Sequence, residues 1–78
     1  MDLSVKLKAI RKREGLTQLE FCTLLDFSIS SYKKYETNLF EMGYGGLCKM
    51  LSHPQFTKYT LWLMTGHTAV ECGQVSAV

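Results

Sequence analysis

At 78 residues, with 46% hydrophobic and 21% charged residues, the chain has the composition of one small globular domain rather than of a disordered segment. A net charge of +2 singles out no partner by itself, and a core of this size is only marginally stable, so association with another chain is a natural aid. The three cysteines, Cys22, Cys48 and Cys72, form no C-x-x-C pair, which argues against a zinc site or disulfide framework and for a reducing, cytoplasmic setting.

The first segment, "MDLSVKLKAIRKREG", interleaves apolar residues with lysine and so lacks the apolar core of a signal peptide. No apolar run in the chain reaches the roughly 18 residues of a membrane span. Lys6, Lys8, Arg11, Lys12 and Arg13 stand against one acid, Asp2, which makes this end a basic pole; from Tyr59 to Val78 the only charged residue is Glu71. Leu3, Leu7 and Ile10 recur at helical spacing and Gly15 follows as a stop, predicting a helix over residues 3 to 14. Thr17 precedes Glu20 by three residues, the capping-box spacing, and opens a second helix with Phe21, Cys22 and Leu25 inward.

Asp26 tolerates the left-handed conformation that ends this second helix, and Ser28 caps a third. Phe27, Tyr32 and Tyr35 then form an inward aromatic face, leaving Ile29, Ser30, Lys33 and Lys34 in front. Small polar and cationic side chains on a short, anchored helix suit a groove lined by hydrogen-bonding edges and phosphates. Beyond "GYGG", the stripe Tyr44, Leu47, Cys48, Leu51 predicts a fourth helix, ended by His53 and Pro54. A fifth helix is expected from about Gln55 to Thr65, burying Phe56, Tyr59, Trp62 and Leu63, with Gly66 as its stop. Residues 67 to 78 read either as a frayed tail or as a short strand used in pairing.

The run "LTQLEFCTLLDFSISSYKKYETN", followed by "YTLWLMTG", resembles the helix-turn-helix domain of lambdoid phage repressors and Cro proteins. The features that coincide are "TQ" opening helix two, the small Cys22, Ser28 as cap, "YKKYE" closing helix three and "WLMTG" closing helix five. The resemblance covers roughly residues 3 to 66 and implies an all-α, five-helix domain over 1 to 66 with a short C-terminal tail over 67 to 78. It implies a dimeric, sequence-specific repressor that binds double-stranded operator DNA. Antitoxins and protein-interaction modules on the same fold are the alternatives.

Residue by residue, the resemblance implies base-edge readout by Ile29, Ser30, Lys33 and Lys34, and phosphate contact by Gln18, Ser28 and Ser31. Arg11 and Glu36 match a pair that joins helix one to the end of helix three. The loop after helix three lacks the family's basic clamps and offers Asn38 and Tyr44, with Lys6 or Lys49 as further aids; Asp26 stands where the family usually has glycine. Leu61, Met64, Val70 and Val75 are the expected dimer contacts, while Leu19 and Leu24 are outward leucines at positions normally polar. His53 and His67 stand at no metal-ligating spacing from Cys48 or Cys72, so no metal, cofactor or small-molecule ligand is expected. The absence of G-x-S-x-G, Walker and H-E-x-x-H motifs argues against an enzyme.

Overall fold

A computed structural model describes all 78 residues. Five α-helices follow one another, α1 (Leu3–Arg13), α2 (Gln18–Leu25), α3 (Ile29–Glu36), α4 (Tyr44–Leu51) and α5 (Thr60–Thr65), with 3-10 turns at Thr57–Tyr59 and Val70–Cys72. The fold is all-α, and its one β-type pairing is an isolated bridge between Ala69 and Gln74.

Local chemistry explains the first three helices. On α1, Leu7 and Ile10 are fully buried. The helix ends in a Schellman turn at Gly15 (φ 72°), where the Leu16 amide donates to the Arg11 carbonyl (3.1 Å) and the Gly15 amide to that of Lys12 (3.0 Å). At the start of α2 the Glu20 amide donates to the Thr17 hydroxyl (3.1 Å) and the Thr17 amide to the Glu20 carboxylate (2.9 Å), so each residue satisfies an orphan donor of the other. Asp26, at φ 56° and ψ 45°, takes the left-handed conformation and turns the chain into α3.

A single core gathers one face of every helix. Phe21 stands near its middle, its ring centroid 5.0 Å from both Tyr32 and Phe56. Cys22 and Leu25 of α2, Met50 of α4, and Trp62 and Leu63 of α5 are also buried.

The predicted face of α4 needs correction. The stripe Tyr44, Leu47, Cys48, Leu51 is only partly the buried side: Leu47 and Leu51 pack half-buried against the core and Cys48 is half-buried, but Tyr44 is exposed and the fully buried residue is Met50, outside the stripe. The apolar arc of this helix is broad, running from Met50 through Leu47 and Leu51 to Tyr44 and Cys48, so the period does not say which edge of it the core covers. Met42 helps decide it, because its side chain closes over Gly46 so tightly that a Cβ there would meet Met42 Cγ at 2.8 Å.

The fifth helix is also shorter than its pattern suggested. Phe56, Tyr59, Trp62 and Leu63 are all buried, yet α5 begins only at Thr60. The His53 carbonyl takes the amides of Phe56 (2.9 Å) and Thr57 (3.1 Å), and the Thr57 hydroxyl donates to the Leu51 carbonyl (2.7 Å). These local bonds hold residues 52 to 59 in tight turns that compete with a regular helix. At its other end α5 stops at Gly66 (φ 81°), where Lys6 Nζ donates to the carbonyls of Trp62 (3.1 Å) and Leu63 (3.2 Å). A cation at a helix C-terminus also complements the dipole there.

Residues 67 to 78 are neither frayed nor a strand. The Val75 amide donates to the Lys58 carbonyl (2.8 Å), Val75 packs against the core, and Ala77 is buried. Gln74 bridges the two segments: its Oε1 accepts the Leu61 amide (2.9 Å) and its Nε2 donates to the Thr57 carbonyl (3.1 Å). Since no side chain near residue 59 caps α5, Gln74 satisfies one of its free first-turn amides from a distance in sequence.

Candidate nucleic-acid interface

The geometry of the site starts behind α3. Tyr32 is fully buried against Phe21, and Phe27 stacks on it with ring centroids 6.4 Å apart; Tyr35 is half-buried against the same core. With that side pinned, Ser30, Ser31, Lys33 and Lys34 are exposed. Neither lysine has an acidic partner, and Lys34 Nζ lies 5.4 Å above the Phe40 ring.

Ile29 is less free than its position suggested. It is half-buried and packs partly on the core, so only a portion of its side chain faces outward. Ser28 is used locally: its hydroxyl accepts the Ser31 amide at 3.5 Å and pairs with the Ser30 hydroxyl at 3.0 Å. Asn38 is exposed in the left-handed conformation (φ 61°), and Tyr44 is exposed at the first turn of α4.

The orientation of α3 depends on a buried ionic cluster. Arg11 Nε donates to Glu36 Oε2 at 2.7 Å and Arg11 Nη2 to Glu36 Oε1 at 3.1 Å, while Arg11 Nη1 reaches the Leu16 carbonyl at 2.9 Å. Gln18 Nε2 donates to the same Glu36 Oε1 (3.1 Å), so one carboxylate ties together α1, the start of α2 and the end of α3. Burial pushes the Glu36 carboxyl up, but its bonds to Arg11 and Gln18, with the Tyr32 hydroxyl nearby, outweigh this and hold it below the usual carboxylate range.

The Tyr32 hydroxyl is buried near that cluster without a partner in hydrogen-bond geometry. Burial, and then Glu36, push its pKa well above that of an ordinary tyrosine. Tyr32→Phe removes a donor that is already unsatisfied, so it is expected to leave stability within about 1 kcal/mol of the parent or to raise it, as read by urea unfolding. A loss above about 2 kcal/mol would mean that the hydroxyl is held by a bond to Glu36.

Two lysines that looked available for phosphates are committed elsewhere. Lys6 caps α5 as described. Lys49 Nζ donates to the Asp26 carbonyl (2.9 Å), lies 3.7 Å from the Asp26 carboxylate and stands 5.5 Å over the Phe27 ring. Lys49 thus ties the turn between α2 and α3 to α4, while the Asp26 carboxylate itself points into solvent. No sequence signal marked this strut.

A second cluster escaped the sequence reading as well. Glu14 accepts from the Tyr59 hydroxyl and from Gln55 Nε2 (3.1 Å) and pairs with Lys58 (3.1 Å), tying the end of α1 to the segment before α5. Burial, followed by the bond to Glu14, pushes the Tyr59 hydroxyl up to about 12.

The four residues assigned to pairing do not share one environment. Met64 and Val70 are exposed, Leu61 is half-buried, and Val75 turns toward its own core. Met64 borders an apolar groove between α4 and α5 together with Tyr44, Leu47, Cys48 and Leu51, so the part of the α4 stripe that the core leaves open lies beside α5. A second, open depression is framed by the first turns of α2 and α3 and lined by Arg11, Thr17, Gln18, Leu19, Ile29 and Lys33.

No cluster of three or more His, Cys, Asp or Glu side chains is arranged to hold a metal ion, and all three cysteines are free. No helix is long and apolar enough to cross a membrane. Comparison with family models finds no match. The chain is similar to Repressor protein C of Escherichia phage P2, with 34% identity over 74 residues that span 95% of this chain and 75% of that protein.

Proposed function

Because this chain belongs to the family of small phage repressors, we propose that it represses transcription as a cytoplasmic homodimer that binds a palindromic DNA operator, with α3 in the major groove. One observation carries the reading: α3 is anchored from behind by Phe27, Tyr32 and Tyr35 and braced by Arg11–Glu36, while Ser30 stands exposed in front beside Lys33 and Lys34, two exposed lysines without an acidic partner. Lys33 and Lys34 donate to guanine O6 and N7 or to phosphates, Ser30 donates or accepts at a base edge, and the outer part of Ile29 touches a thymine methyl. Gln18 keeps one amide hydrogen beyond its bond to Glu36 and offers it to a phosphate at the start of α2. Ser28, Ser31, Asn38 and Tyr44 supply further backbone contacts, and residues 1 to 66 carry the binding surface while 67 to 78 dock against them.

The test is to select duplexes from a randomised DNA pool with the purified protein and to footprint it on the winners. The reading expects two half-sites related by a dyad and centred about 34 Å apart along the helix axis. Selection of no duplex, or of sites without symmetry, would contradict it.

For pairing, the exposed surface of α5 is the element we assign, with Met64, Leu61 and Val70 as contacts and Val75 supporting the tail from beneath. Met64→Glu would bury an unpaired carboxylate in such a contact, at a cost of roughly 3–5 kcal/mol. Sedimentation equilibrium is expected to show a folded monomer that binds a full site poorly. A variant that stays dimeric would move the pairing surface elsewhere.

A further inference from the structure

Two leucines of α2 face outward, and the structure separates them. Leu24, 43% exposed, borders a depression shared with Asp26, Lys49 and His53, on the side of α2 toward α4. Leu19, 65% exposed, borders the depression between the first turns of α2 and α3. A solitary surface leucine requires no explanation. Leu19 is not solitary, because Ile29 lines the same depression, together with Lys33 and Gln18.

That mixture restricts what fits. Arg11 on the border of the depression is neutralised by Glu36, so the free charge there is that of Lys33, and with no acidic residue in the lining an anionic surface complements it. A major-groove edge offers phosphates and hydrogen-bonding base atoms to Lys33 and Gln18, and one apolar group, the C5 methyl of thymine, to Leu19 and Ile29. Leu19 is also held in place: the capping box of Thr17 and Glu20 fixes its turn, and Gln18–Glu36 fixes that turn to α3.

Resting on the repressor reading of α3, we infer that Leu19 is a specificity-determining residue that packs, beside Ile29, on a thymine methyl of the operator. The helix assigned to phosphate contact then also reads sequence.

The experiment begins from the duplex that the unaltered protein selects out of a randomised pool. Unaltered protein, Leu19→Ala and Leu24→Ala are titrated with it and with duplexes in which each thymine in turn is replaced by deoxyuridine, which removes only the methyl group. The unaltered protein is expected to lose about fourfold in affinity at the contacted position, the worth of one buried methyl. Leu19→Ala is expected to lose at least as much on the thymine duplex and to become indifferent to the replacement there, while Leu24→Ala keeps both affinity and discrimination. Alanine favours the helix, so neither variant threatens the fold. Unchanged affinity and unchanged thymine preference in Leu19→Ala, or a change of oligomeric state in place of a change of discrimination, overturns the inference. If the unaltered protein selects no duplex, the repressor reading falls with it; if selection succeeds and Lys33→Ala weakens binding while Leu19→Ala does not, only the thymine assignment falls.

Discussion

Replacing Glu36 with alanine is expected to cost about 3–5 kcal/mol, a large part of the 5–15 kcal/mol that stabilises a typical small domain. The side chains of Arg11 and Glu36 are only 11% and 4% exposed, so the variant leaves a guanidinium desolvated with one carbonyl partner, that of Leu16. Gln18 loses its acceptor as well. Urea unfolding followed by circular dichroism measures the loss, and Arg11→Met combined with Glu36→Ala completes a double-mutant cycle that isolates the pair. A loss below about 1 kcal/mol would mean that the bridge behaves like an exposed ion pair.

The same carboxylate sets a pH dependence. Folding lowers the Glu36 pKa despite burial, and it lowers that of Glu14, where burial is likewise outweighed by bonds from Tyr59, Gln55 and Lys58. The folded protein therefore binds these protons less tightly than the unfolded chain does. Their stabilisation is complete above the ordinary carboxylate range and is lost as pH falls through that range toward the folded values. The urea midpoint is expected to hold steady from neutrality to about pH 5 and then to fall, with a shallower decline in Glu36→Gln.

The second large effect concerns binding. Lys33→Ala and Lys34→Ala together are expected to weaken operator binding by roughly a hundredfold or more, since each good base or phosphate contact is worth about 1–3 kcal/mol. Stability should change by no more than about 0.5 kcal/mol per site, because both side chains are exposed and neither has an ionic partner. The dependence of affinity on salt separates the two roles: a lysine on a phosphate contributes about 0.9 to the slope of log affinity against log salt. A lysine that reads guanine instead relaxes the selected sequence at one position. Retained affinity in the double variant would place the binding surface on another face.

The local punctuation of the chain was legible in advance. Gly15, the Thr17–Glu20 box, Asp26, Ser28 and Gly66 act through bonds that span five residues or fewer, so their chemistry is written in adjacent positions. The division of α3 into an aromatic back and a polar front was legible for a similar reason, since one helical period sorts eight residues into two faces. The pairing of Arg11 with Glu36 was available only through family resemblance. Nothing in the intervening residues predicts a contact across 25 positions.

Tertiary structure alone decided the rest. Lys6 and Lys49 look available for phosphates in the sequence and Glu14 carries no signal there, yet they meet partners 56, 23 and 45 residues away. The edge of α4's broad apolar arc that is fully buried, at Met50, was set by the packing around Met42 and not by the helical period. The tail is held by Gln74, whose amide completes α5 from 13 residues off, and by Ala77 in the core. Helix caps and periods arise from forces that act within a turn or two, and the sequence by itself determined those. The packing face of a helix, the docking of a tail and the partner of a distant charge arise from forces that exist only once the chain has folded back on itself.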